Sequence, residues 1–126
     1  MNRLSRGRMR PGRRVKMKTA LTTVEEKLSL KKLSGSDNDR ECTGVYAGDL
    51  LSWVMSHAMP DDIWVTIMSN SNVIAVASLA DVACVILAEG VTLDEKDTAL
   101  AAEKGINVYS SEMSTYEICA ALSSLE

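Results

Sequence analysis

The chain has no phenylalanine, one histidine, two tryptophans and three tyrosines in 126 residues. So few aromatics leave the core to Val, Ile, Leu, Met and Ala. They also exclude a nucleic-acid stacking platform, which needs several exposed rings among basic residues. The three cysteines, Cys42, Cys84 and Cys119, are odd in number and far apart, with no Cys-x-x-Cys spacing. Neither a disulfide framework nor a metal motif follows, and His57 adds no ligand set. The expectation is reduced thiols, with Cys84 and Cys119 as small core residues, and neither metal nor cofactor. No apolar run approaches the ~20 residues of a membrane span, and no apolar segment of a secretory signal follows the N-terminal arginines. A cytoplasmic protein that does not enter a membrane is expected.

Charge is unevenly spread. Residues 1–18 carry eight basic side chains and no acid, whereas residues 19–126 carry six basic and seventeen acidic ones, a balance of −11. The body should therefore repel nucleic acid and anionic membrane. The head has neither helical nor strand period and contains Gly7, Pro11 and Gly12, which reads as a disordered basic segment. Arg13-Arg14-Val15-Lys16-Met17 is what a bacterial ribosome-binding site, AGG-AGG, would encode two codons before a start. Translation is expected to begin at Met17, with one folded domain over 19–126.

Within that domain, short apolar runs alternate with segments of helical period. Thr22 and Thr23 stand three residues before Glu25 and Glu26, two overlapping capping boxes that predict a helix over about 23–29. Lys31–Ser34 and Cys42–Tyr46 read as strands, and Asp49 as the start of a helix that Pro60-Asp61-Asp62 ends. "IWVTIM" (63–68), "CVILA" (84–88) and "INVYS" (106–110) read as strands buried on both faces. Helices are expected over 73–82, over 94–104 with Gly105 as the stop, and from the capping box Ser114–Glu117 onward. This alternation predicts an α/β fold, a mostly parallel sheet of four to five strands flanked by helices in one layered domain.

Ligands in such sheets bind beyond the carboxyl ends of the strands. Those loops supply Asp49, Ser69, Asn70, Ser71, Asn72, Glu89, Ser111 and Ser114 as candidate ligand-binding residues, some at helix N-termini that suit an anion. The same residue types are what helix caps use, and no Lys or Arg stands in these loops to neutralise a phosphate. "GVYAGD" has the wrong glycine spacing for a phosphate-binding P-loop and an aspartate in place of its lysine. Cys42 and His57 lack the companion groups of a catalytic dyad, and no catalytic residue is assigned.

Asp39-Arg40 and Thr43-Gly44, followed by "DLLSWVM", "PDDIWVTI" and "NVIAVASLADVACVILAEG", resemble the DRTGG domain. The tail "AAEKGINVYSSEMSTYEICAAL" is similar to the end of the N-terminal domain of HPr kinase/phosphorylase. The resemblance covers roughly 19–126. Glu41 and Cys42 separate the two halves of the motif, and Val45 stands where a second glycine is expected. Such domains accompany kinase, phosphotransacetylase or CBS-pyrophosphatase modules, or stand alone, sometimes near hydrogenase-type redox genes. The resemblance implies a stand-alone, non-catalytic regulatory or protein-interaction domain, self-associating or bound to a protein partner and linked to redox complexes. The alternative is a sensor for a small ligand, an adenine nucleotide or another anion. An enzyme of unrecognised type comes third. Asp39, Arg40, Thr43, Gly44 and Gly48 then have a structural role: the arginine forks to a carboxylate or to loop carbonyls, and the glycines let the chain turn.

Overall fold

The computed structural model describes residues 17–36 and 40–126; the basic head and Asp39 of the motif lie outside them. In chain order the elements are β1 (Thr19–Ala20), α1 (Leu21–Lys27), β2 (Lys31–Ser34), β3 (Glu41–Cys42), β4 (Gly44–Ala47) and α2 (Leu51–His57). Then come β5 (Asp62–Thr66), α3 (Ser71–Ala80), β6 (Cys84–Leu87), α4 (Glu95–Glu103), β7 (Val108–Ser110) and α5 (Thr115–Ser123). Five strands form the main sheet in the order β2-β7-β6-β5-β4, and β1 pairs with β3 in a small antiparallel ribbon. Strands β4 to β7 are parallel, and β2 lies antiparallel on β7. The mostly parallel α/β sheet expected from the sequence is therefore the fold.

Its central strands are apolar throughout because both faces are covered. On β5 and β6, Ile63, Val65, Cys84 and Ile86 join Leu21 and Val24 of α1 and Ile118 and Leu122 of α5. The alternate residues Trp64, Val85 and Leu87 meet Val54 of α2, Val73, Ile74 and Ala77 of α3, and Ala101 of α4. Truncating one such side chain, Ile86 for example, would cost about 2–5 kcal/mol in lost burial and cavity.

Several boundaries differ from expectation: β5 ends at Thr66 instead of 68, α3 spans Ser71–Ala80 instead of 73–82, and β7 begins at Val108 instead of 106. Three further differences have a tertiary reason. Helix α1 begins at Leu21 with Ala20 as an uncapped N-cap, because the Leu21 N–H donates to Arg40 O (2.8 Å) and Thr22 and Thr23 are not needed as caps. The 42–46 strand divides at Thr43, whose N–H donates to Asp61 O (3.0 Å), so Cys42 belongs to the ribbon and Gly44 to the sheet. Helix α2 starts at Leu51 without a side-chain cap, because the Asp49 carboxylate is engaged elsewhere.

Candidate functional site

The chain leaves β4, β5 and β6 toward the face of α2, α3 and α4, and leaves β7 toward the face of α5. The switch between β6 and β7 is where a ligand crevice would open in such a sheet. Here the two loops bond to each other. Glu89 N donates to Met113 O (2.9 Å), Gly90 N to Ser111 O (2.8 Å) and Ser111 N to Leu87 O (2.9 Å). The Ser110 hydroxyl donates to Val91 O (3.0 Å), and Ser111 Oγ accepts from Met113 N (3.1 Å). A Cβ on Gly90 would stand 2.9 Å from Glu112 Oε1, so a carboxylate lies over the turn where an anion would need open backbone. Glu89 is exposed, in the left-handed region at φ 61°.

The β4 and β5 ends form a second network. Asp49 Oδ1 accepts from the Thr66 hydroxyl (2.7 Å) and from Ile67 N (3.0 Å), and the Trp64 indole donates to Gly48 O (2.9 Å). Gly48 thus supplies a carbonyl at a strand end, beside the Tyr46 ring. Asn70 caps α3 by accepting from Asn72 N (3.0 Å), with Ser71 and Asn72 exposed on the first turn and Ser69 half-buried. Ser114 and Glu117 complete the capping box of α5. Of the candidate residues, Asn70 and Ser114 terminate helices, whereas Asp49 and Ser111 tie loops together. Sequence reasoning missed Thr66, Trp64 and Ser110. It also missed that antiparallel β2 brings Lys31 opposite Ser110, a cation at the rim of these loops.

The motif arginine is at the other end. Arg40 Nε donates to Asp61 Oδ1 (2.9 Å), and Nη2 donates to Asp81 O (2.6 Å) and Asp81 Oδ1 (3.0 Å). Asp61 and Asp81 precede β5 and β6 and hold φ of 68° and 56°, a left-handed backbone that disfavours most side chains. Burial opposes the Arg40 charge, but the hydrogen bonds from both aspartates outweigh it and raise its pKa. Asp62 is buried, and its Oδ2 accepts from Met59 N (2.8 Å). The stretch from Arg40 to Asp49 therefore spans the height of the sheet, with Arg40 at the amino ends and Asp49 at the carboxyl ends.

Reactive groups are subdued. Burial pushes the Cys42 thiol up to about 12 and the Cys84 thiol well above the usual range, so neither offers a thiolate at neutral pH. Cys42 packs on the α1/α5 side, whereas His57 is exposed on α2 and stacks on Trp53 with ring centres 4.7 Å apart. The two do not form a dyad. Among the described residues no group of three or more His, Cys, Asp or Glu could hold a metal. No described helix is long and apolar enough to cross a membrane. One open hollow, about 440 Å³, is lined by Thr22, Thr23, Glu25, Glu26, Ser29 and Leu30. Another, about 220 Å³, lies between β4 and α5 against Val45, Ala47, Cys119, Ser123 and Glu126. Neither includes a candidate residue of the loops.

What the geometry defines is an α/β domain with interlocked loops at both ends of its sheet. Residues 24–125 match the model of the DRTGG domain, and the chain belongs to the DRTGG domain family. A similar solved structure is that of the CBS and DRTGG domains of the regulatory region of Clostridium perfringens pyrophosphatase, complexed with its activator diadenosine tetraphosphate. At 17% identity and a TM-score of 0.71, the match covers 85% of this chain and 47% of that one. The chain thus spans about half of that neighbour. No curated protein matches it.

Proposed function

We propose that this chain is a non-catalytic regulatory module that works by association, with itself or with a protein partner. The observation that carries this reading is the contrast between loops and surface. At the strand ends Asp49, Thr66, Ser110 and Ser111 are committed to internal hydrogen bonds, whereas Leu50, Trp53, Met55 and Met59 stand exposed on and beside α2. Clustered exposed apolar side chains are a feature of interaction surfaces. The sequence resemblance adds redox complexes of the hydrogenase type as a class of partner. Light scattering on the purified chain, with pull-down from its native host, tests the reading. A strict monomer that recovers no partner would remove it.

A second reading is a small-ligand sensor, favoured by the adenine-nucleotide activator bound to the pyrophosphatase regulatory region. The exposed groups for it are Ser71 and Asn72 on the first turn of α3, with Lys31 at the rim by Ser110. A ligand that binds only the folded state at about 100 times its Kd adds roughly 2.7 kcal/mol of stability. Thermal melts with ATP, AMP and diadenosine tetraphosphate therefore test this reading, and an unmoved midpoint with all three rejects it.

A further inference from the structure

The two edges of the main sheet are built differently. Edge strand β2 carries Lys31 and Lys32, and its register slips between Lys32 and Ser34. Lysines and bulges are devices that keep an edge from pairing with another chain. Edge strand β4, "GVYA", has no charge, no proline and no irregularity in its register with β5. The ribbon strand β1 covers the chain as far as Cys42, and among the described residues no strand lies beside Gly44–Ala47 on its outer side.

On its α2 side this edge is flanked by a surface without Asp, Glu, Lys or Arg. On one side Tyr46 stacks on His57 (6.2 Å between ring centres), and His57 stacks on exposed Trp53. On the other side is the hollow formed by Val45, Ala47, Cys119, Ser123 and Glu126, which brings one carboxylate to the α5 side of the edge. From Leu50 to Pro60 the chain has no Asp, Glu, Lys or Arg, and the nearby Asp49 carboxylate is turned to Thr66.

We propose that β4 pairs antiparallel with β4 of a second copy about a two-fold axis, joining the two five-stranded sheets into one. This rests on the reading of the chain as an association module and names its surface. A second copy is the occupant because an unguarded edge is complementary to itself under two-fold symmetry. Charge supports the same choice. Residues 19–126 carry −11, so two copies repel each other in general and meet with least repulsion along an uncharged strand. Salt screens that repulsion and should tighten the dimer. Because Met17 N donates to Thr43 O (3.4 Å) at the foot of the edge, the residues before Met17 are the rival occupant.

Sedimentation velocity from about 5 to about 300 µM, spanning a micromolar Kd, tests the proposal. The samples are the full chain, a chain beginning at Met17, Ala47→Lys and Leu79→Lys. Ala47 and Leu79 are both exposed, so each variant should fold, as a circular-dichroism melt will confirm. The proposal expects a dimer that Ala47→Lys weakens about ten-fold by placing a charge on the pairing edge. It expects Leu79→Lys, on α3, to leave the dimer unchanged, and hydrogen exchange over 43–48 to slow as concentration rises. A monomer throughout overturns it, as does dissociation by Leu79→Lys with Ala47→Lys silent. A dimer seen only for the chain beginning at Met17 assigns the edge to the preceding residues and also overturns it. A nucleotide-induced rise in melting temperature without a dimer would reject this surface and leave the regulatory reading standing.

Discussion

At the amino end of the sheet one guanidinium holds two carboxylates, whereas at the carboxyl end the bonds run between hydroxyls, an indole, backbone groups and carboxylates such as Asp49 and Glu117. The amino end also holds the buried thiols, with Cys42 just before β4 and Cys84 opening β6. Parallel strands leave ragged loops at both ends, and these loops need partners for their backbone groups. Here one end is fastened by ion pairs and the other by hydrogen bonds to hydroxyl and backbone groups, so salt should separate them. Arg40 is at the amino end, away from the loops where ligands of such sheets bind.

The largest expected effect is alkaline unfolding driven from the amino end. Thiols of the unfolded chain lose their protons near pH 9, whereas burial keeps folded Cys42 protonated up to about 12 and pushes Cys84 well above the usual range. The folded state therefore binds more protons above pH 9, and stability falls as pH rises. The stabilisation is fully present below pH 9, and each thiol removes up to about 1.4 kcal/mol per pH unit above it. Urea midpoints between pH 8 and 11 should fall steeply, and less so for Cys42→Ala. A flat profile would mean that the thiols are not sealed as the structure has them.

Next in size is Arg40→Ala. It leaves Asp61 and Asp81 without their shared cation at two left-handed turns. The aspartates are partly exposed, so solvent screens the pair, and about 2 kcal/mol is the expected loss. Arg40→Lys should recover only part, because a lysine cannot span both carboxylates as a planar fork. High salt should narrow the gap between wild type and Arg40→Ala. A loss below about 0.5 kcal/mol would reduce the clamp to a surface ion pair of no consequence.

At the carboxyl end, Asp49→Ala removes two acceptor bonds, to Thr66 Oγ1 and to Ile67 N. About 1.5 kcal/mol should be lost, and Asp49→Asn should restore most of it through its remaining oxygen. If Asp49→Ala proves harmless to the fold but abolishes a nucleotide-induced shift, the residue serves a ligand and the two ends differ in purpose as well as chemistry.

Much of this architecture was legible in the sequence, and the part that was not has a common cause. The apolar runs around Ile63, Cys84 and Ile106 marked central strands because both faces of the sheet bury them, which needs no knowledge of partners. Ser114–Glu117 was legible because a capping box closes within four residues. Asp49 was read as a helix start for the same local reason, but its partners lie 17 and 18 residues away on a neighbouring strand. Arg40 suggested a fork, and nothing local identified Asp61 and Asp81, 21 and 41 residues further on. The antiparallel placement of β2, which brings Lys31 to the rim, pairs it with Ser110, 79 residues further on.

The smallest expected effect bears on whether the carboxyl end does anything beyond holding itself together. Glu89 is exposed and keeps a left-handed backbone, φ 61°, on the loop that bonds to Ser111 and Met113. Glycine adopts that backbone without strain but loses more entropy on folding, so Glu89→Gly should change stability by no more than about 0.5 kcal/mol, in the stabilising direction. Strain at an exposed residue persists either because it is cheap or because the side chain has a task. Melting curves with and without diadenosine tetraphosphate distinguish these. A variant that is slightly more stable and keeps any ligand shift makes Glu89 a turn residue alone. One that gains stability but loses the shift makes its carboxylate part of a binding surface, and the carboxyl end of the sheet then carries the recognition while the Arg40 end carries the fold.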